Sequence, residues 1–241
     1  MDVEFNSLFY IITSGIVLMM IYGWISGKTN LSGSIAGGII AFTIYIEVGL
    51  PVLVYFLAFF LVGSLASKWQ YQKKLSLDLA QENKGRRTAV HAFCNAGAAL
   101  LFAQLTLLGY SNSIVHFSIA CVFAAATSDT LSSELGNVLG SRHINILTLK
   151  PYQRGSDGAI SMEGTLAGLA GSLLIALLYF LFTGGWFQGL LVLLIGLMAN
   201  FFDSVLGVSL QRKGKINNNM VNLLATLFAG LLGYFFGILF T

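Results

Sequence analysis

Long apolar runs broken by short polar stretches set the pattern of this chain. Eight runs stand out, at residues 8–26, 32–48, 51–67, 88–109, 114–128, 160–182, 187–206 and 220–240. Each approaches the length needed to cross about 30 Å of hydrocarbon at about 1.5 Å per helical residue. The pattern predicts an all-α, polytopic membrane protein of about eight transmembrane helices, folded as one integral membrane domain over residues 1–241. Composition agrees: 56% of residues are hydrophobic and only 10% are charged, against roughly 25% charged in a soluble domain.

Charge then gives the runs a direction. With an outer N-terminus and alternating spans, the inner connections hold Lys28; Lys68, Lys73, Lys74, Lys84, Arg86 and Arg87; Arg142, Lys150 and Arg154; and Arg212, Lys213 and Lys215. These are all 13 basic residues of the chain. The outer side keeps Asp2, Glu4 and Glu47. Such a bias predicts both termini outside and the long connections in the cytoplasm. The N-terminal residues lack the basic region of a cleaved signal, so the first span is expected to stay. Trp186 suits an interfacial anchor. Cys94 and Cys121 both fall in spans and read as packing residues. The cations of 68–87 are expected to serve topology or anionic lipid contact.

Two stretches interrupt the apolar pattern with chemistry. The first is Ala126-Thr-Ser-Asp-Thr-Leu-Ser-Ser-Glu-Leu-Gly136; the second is Arg154-Gly-Ser-Asp-Gly-Ala-Ile-Ser-Met-Glu-Gly164. Asp129 and Asp203 lie at matched depth near the inner ends of the fifth and seventh spans. A carboxylate there costs several kcal/mol unless it is paired or bound to metal. Two such acids at one depth predict a shared Mg²⁺ site, since magnesium takes a few carboxylates plus water and phosphate oxygens. Glu134 is a further ligand candidate, although five residues turn it off the face of Asp129; Ser133, at i+4, shares that face. Alternatively, each acid is a solvated helix end or is paired with an arginine.

Gly155, Ser156, Asp157 and Gly158 precede a helix start whose free N–H groups suit phosphate oxygens. Lys150 and Arg154 supply cations just upstream. Ser161 and Glu163 are also candidate helix caps. Arg87 can reach a phosphate, and His91 and Asn95 share a helix face. The connection Gln211–Asn222 carries three cations and four asparagines, with Asn218 and Asn222 expected to help close a nucleotide pocket. His116 and His143 have no companions at metal-ligand spacing and read as incidental.

Taken in order, these segments resemble the integral-membrane phytyl-phosphate kinases, a family that includes transmembrane protein 19. The matching residues are Arg87 with Asn95, Ser128-Asp-Thr-Leu-Ser-Ser-Glu-Leu-Gly136, Gly155-Ser-Asp-Gly-Ala-Ile-Ser161 with Gly164-Thr165, Phe202-Asp-Ser-Val-Leu-Gly207 with Gln211, and Asn218-Asn-Met-Val-Asn222. They span roughly residues 86–222; the first three spans carry no matching motif. The sequence is more loosely similar to CTP-dependent dolichol and phytol kinases and to CDP-diacylglycerol synthases. It departs from the pattern at Ser128, at His91 and in the Gly155-Ser-Asp-Gly-Ala loop.

The resemblance implies transfer of the γ-phosphate of CTP, or another nucleoside triphosphate, to an isoprenyl monophosphate. By the same reading Asp129 and Asp203 hold Mg²⁺, Lys150, Arg154 and the glycine loop bind phosphate, and Arg87, Asn95 and Ser133 orient the acceptor. Membrane lipids are expected neighbours, a homodimer is one candidate assembly, and no nucleic-acid partner is expected. The location implied is the cell (inner) membrane with a cytoplasmic site. The rival readings are a cytidylyltransferase that forms a CDP-lipid, a transporter using intramembrane acids, and a structural scaffold.

Overall fold

The computed structural model describes residues 7–79 and 85–240. Eight of its helices are long and apolar enough to cross a membrane. They are α1 (Ser7–Ile25), α2 (Leu31–Val48), α3 (Leu50–Lys68), α5 (Ala89–Ala103, prolonged to Thr106 by a 3₁₀ turn), α6 (Asn112–Leu139), α7 (Met162–Thr183), α8 (Trp186–Leu206) and α9 (Asn218–Phe240). A short helix, α4 (Tyr71–Ser76), lies between α3 and α5. Asp2, Glu4 and Lys84, used above for orientation, lie outside the described residues.

Local chemistry sets most helix ends. Asn30 caps α2 by accepting from the Gly33 N–H at 2.8 Å. Pro51 sits in the first turn of α3, where no N–H partner is needed. Thr88 caps α5, and His91 completes a reciprocal box by accepting from the Thr88 N–H at 3.2 Å. Gly184 ends α7 in the left-handed conformation, with φ 70°. Beyond Leu206 the helix α8 widens into a π-helical turn over Gly207–Gln211.

The predicted span 114–128 is too short. The helix runs unbroken to Leu139, carrying Asp129 well inside it. The reason is its surroundings: in its apolar 18-residue window 83% of residues are buried, against 11% for α1. α6 packs on α3, α5, α7, α8 and α9, so its polar residues face protein and not lipid. Hydropathy, which reports lipid exposure, loses it after Ser128.

Small residues permit this enclosure. A Cβ on Gly171 of α7 would stand 2.8 Å from the Thr127 carbonyl oxygen, and one on Gly136 would stand 2.9 Å from the Gly164 Cα. The all-α reading holds, with one local addition. The α6–α7 connection contains a minimal antiparallel ladder, β1 (Ile144–Asn145) with β2 (Ala159–Ile160), in the register Ile144 to Ile160.

Contacts tie the connections at each end of the bundle. At one end, Lys68 donates to the Ser26 carbonyl at 3.3 Å and Lys73 to the Val138 carbonyl at 3.1 Å. At the other, Gln104 donates to both Glu47 oxygens at 2.9 and 2.8 Å. Cys94 and Cys121 are both free thiols.

Candidate functional site

Where α3, α6 and α8 end and α5, α7 and α9 begin, the bundle opens into a polar cavity of about 510 Å³. Two intramembrane acids reach it from separate helices, Asp129 from α6 and Asp203 from α8. They are close enough to feel one another's charge, and Asp157 of the glycine loop joins them. The Oδ2 atom of Asp203 is buried and has no hydrogen-bond partner among the described residues. An unpartnered carboxylate oxygen facing like charges calls for a cation.

The rest of the lining falls into two sides. On one, Arg87 lays its guanidinium 4.7 Å from the Phe59 ring centroid. Burial pushes its pKa down to about 10, with Glu134 opposing the shift, so it stays charged at neutral pH. Asn95 donates to the His91 carbonyl at 2.9 Å, and its Oδ1 faces the Asn222 amide at 3.5 Å. Ser133 donates to the Thr130 carbonyl at 3.2 Å.

On the other side the loop Gly155–Gly158 leans on the end of α8. Gln211 donates to Asp157 Oδ1 at 2.8 Å. Gly158, at φ 75°, has no room for a Cβ, which would stand 2.5 Å from the Ser204 carbonyl. Burial raises the Asp157 carboxyl above its ordinary pKa. Ser161 lines the cavity and caps α7, accepting from the Gly164 N–H at 3.1 Å.

The cavity thus gathers Asp129, Asp203, Glu134, Arg87, Asn95, Ser133, Gly155, Ser156, Asp157, Gly158, Ser161, Asn218 and Asn222, all singled out from the sequence. Lys150 and Arg154 do not join them. The ladder folds the connection so that Lys150 sits exposed on its turn, while Arg154 turns to the Gly140 carbonyl. Glu163, in the first turn of α7, accepts from its own backbone N–H and also from the Ser141 N–H at 3.0 Å and hydroxyl at 2.7 Å. Glu134 is half committed elsewhere: one oxygen accepts from Ser67 at 3.1 Å and the other pairs with Lys74. Lys74, read from sequence as a surface charge, is 1% exposed. Arg212 packs on Tyr152, and Lys213 and Lys215 are exposed.

Sequence reasoning missed Asn200 and misjudged His143. Both line the cavity. Asn200 is 5% exposed and stands three residues before Asp203, so a polar residue deep in an apolar span was the available signal. His143 has a buried Nε2 without a hydrogen-bond partner among the described residues, and burial is the main cause of its lowered pKa. His116, read as incidental, is a packing residue bonded to Tyr55 at 2.8 Å.

With Asp129, Glu134, Asp157 and Asp203 set against Arg87, the lining is acidic. A bare polyanion would be repelled, whereas one carrying divalent cations would be drawn in. Among the described residues no group of three His, Cys, Asp or Glu side chains is arranged to hold a metal. Magnesium needs only one or two carboxylates when phosphate and water complete its shell, so the Asp129–Asp203 pair fits it.

The sequence profile of the family described as integral membrane protein DUF92 matches residues 14–230. The chain belongs to this family. An uncharacterized membrane protein of Methanocaldococcus jannaschii is 34% identical over 201 residues, covering 83% of this chain and 82% of that protein. Protein PGR of Arabidopsis thaliana is 30% identical over 247 residues, covering 90% and 84%. The chloroplastic protein VTE6 of the same plant is 32% identical over 181 residues, covering 69% of this chain and 53% of VTE6. These relatives agree with the resemblance to the integral-membrane phytyl-phosphate kinases. The family match takes in most of the first three spans as well, where no motif was recognisable. No solved structure matches the chain.

Proposed function

We propose that this protein is a magnesium-dependent prenyl-monophosphate kinase that uses CTP or another nucleoside triphosphate at the cytoplasmic membrane face. One observation carries the reading: two carboxylates from separate helices, one with a buried oxygen unpartnered among the described residues, share a polar cavity with Arg87. The membership in DUF92, with VTE6 among the relatives, supports a transferase of this kind. The gathering of all described basic residues but none of the outer acids into the predicted inner connections supports the cytoplasmic side.

Phosphoryl transfer asks a protein chiefly for positioning and charge neutralisation. Asp129 and Asp203 would hold Mg²⁺, which when bound offsets the charge of the triphosphate. The Gly155–Gly158 backbone and Asn218 would hold the nucleotide's phosphates, because positive φ at Gly155 and Gly158 lets the backbone approach closely. Arg87, with Asn95, Asn222 and Ser133, would orient the acceptor. An oxygen of the acceptor's phosphate attacks the γ-phosphorus, the bond to the β–γ bridging oxygen breaks, and the nucleoside diphosphate leaves. A phosphate monoester is already ionised at neutral pH, so the site needs no strong general base. Lys150 and Arg154 have no part in this scheme.

The test is incubation of purified protein with labelled CTP, Mg²⁺ and a panel of prenyl monophosphates. Release of CDP with formation of the prenyl diphosphate is expected. Pyrophosphate release would instead establish cytidylyl transfer, and transport of substrate in proteoliposomes without nucleotide turnover would remove the kinase.

A further inference from the structure

Two rungs join α3 to α6 beside the cavity. At the first, Gly63 has no side chain, and a Cβ there would stand 2.3 Å from Arg87 Nη2 and 3.2 Å from Thr130 Cγ2. One turn further along α3, Ser67 donates to the Gly63 carbonyl at 3.0 Å and to Glu134 Oε1 at 3.1 Å. Glu134 is likewise one turn beyond Thr130 on α6. Arg87 and Glu134 therefore occupy successive rungs, four residues or about 6 Å apart along the helices. Arg87 comes within reach of a buried carboxylate, yet its guanidinium makes no ion pair or side-chain hydrogen bond among the described residues. It lies on the Phe59 ring instead.

The carboxylate is held by Lys74. This side chain enters from α4, outside the spanning bundle, and pairs with Glu134 Oε2. Its other donors go to the Ala66 carbonyl at 2.7 Å and the Ser67 carbonyl at 3.4 Å, at the end of α3. A compact ammonium with three donors suits one carboxylate oxygen and two carbonyls, where a planar guanidinium would not. A buried carboxylate that loses its ammonium partner draws another cation toward it, because the lost charge compensation is costly. Arg87, on which the Glu134 charge already acts, is a cation in position to answer.

We propose that Lys74 is a positioning residue: by occupying Glu134 it keeps the Arg87 guanidinium free to receive the phosphate of an incoming lipid monophosphate. The inference rests on the reading of the cavity as a prenyl-phosphate site, but one of its two tests does not.

The first test measures binding of phytyl monophosphate to full-length protein in detergent. Lys74→Met is expected to weaken binding by on the order of tenfold to a hundredfold, the weight of a hydrogen bond to a charged group. Lys74→Arg is expected to recover only part of it. With the competing carboxylate removed, Lys74→Met/Glu134→Gln is expected to bind within about threefold of Glu134→Gln alone, below the size of one such bond. The second test measures phenylglyoxal modification of Arg87 by peptide mass spectrometry. Modification should fall in Lys74→Met and return in the double variant.

If Lys74→Met lowers the melting temperature but leaves binding and labelling unchanged, the inference is overturned. It is equally overturned if Lys74→Met weakens binding as much in the Glu134→Gln background as in the wild type, or, should Lys74→Met alone fail to fold, if the folded double variant binds tenfold below Glu134→Gln. If wild-type protein binds no phytyl monophosphate, the kinase reading fails by itself and the labelling decides: equal labelling of Arg87 with and without Lys74 overturns the inference.

Discussion

The two ends of the bundle both bury polar side chains, but they treat them differently. Away from the cavity, Tyr55 of α3 and His116 of α6 bond at 2.8 Å with their rings stacked at 5.5 Å, and Tyr179 of α7 closes on His116 at 5.2 Å. The Tyr55 hydroxyl in that cluster is answered by the His116 ring. At the cavity, Asp203 Oδ2 is unanswered among the described residues, and Asn200, 5% exposed, lines the open cavity and makes no side-chain hydrogen bond among them. An unpaired buried polar group costs about 1–3 kcal/mol. Satisfied polar burial holds helices together; unsatisfied polar burial marks where something else is bound.

That distinction makes opposite demands on mutants of the two ends. The largest effect should come from Asp203→Asn or Asp129→Asn, each expected to reduce prenyl-phosphate kinase turnover by on the order of a thousandfold or more. The melting temperature without nucleotide should hold or rise, since a like charge is removed. Turnover close to wild type in either variant would erase the proposed metal pair. Asn200→Leu comes next. An apolar side chain of similar size facing the cavity should leave thermal stability about unchanged, while activity falls by roughly tenfold, the weight of one polar contact; a folded variant with full activity would show that Asn200 is idle.

The far end should behave in reverse. His116→Phe leaves the Tyr55 hydroxyl buried without its partner and should cost about 1–3 kcal/mol of stability in detergent, with kcat and KM unchanged. A loss of activity in that variant without loss of stability would break the contrast drawn here. The smallest effect concerns pH. His143 has a folded-state pKa below its ordinary value, chiefly through burial. The unfolded chain therefore binds the proton more readily, and stability should fall as pH drops below about 6.5. His143→Gln should flatten that dependence in a thermal-melt series from pH 7.5 to 5.5, about a unit either side of the imidazole range.

Much of this was readable before any coordinates. The eight spans follow from hydropathy because most helices show one face to lipid, and lipid exposure is what hydropathy measures. α6 escaped in part because it shows almost none. The convergence of Asp129 and Asp203 was legible because two spans running in the same direction, the fifth and the seventh, carried acids at equal depth. Two things were not legible. Lys74 sits in a charged connection, where a lysine looks solvated, and only the return of α4 onto α6 buries it. Lys150 and Arg154 looked like phosphate ligands because they adjoin the glycine loop in sequence. A two-residue ladder turns Lys150 away, and no hydrophobic period announces so short a strand pair.

The widened turn after α8 also governs orientation. Across Gly207–Gln211 the backbone closes a longer ring than an α-helix does, with the Arg212 N–H reaching the Gly207 carbonyl at 3.0 Å. One surplus residue swings everything beyond it by about 100°. Gln211 thereby lands on Asp157. Excising a single residue here would spare every side chain in the cavity and still aim that amide elsewhere, unhooking the glycine loop from its anchor.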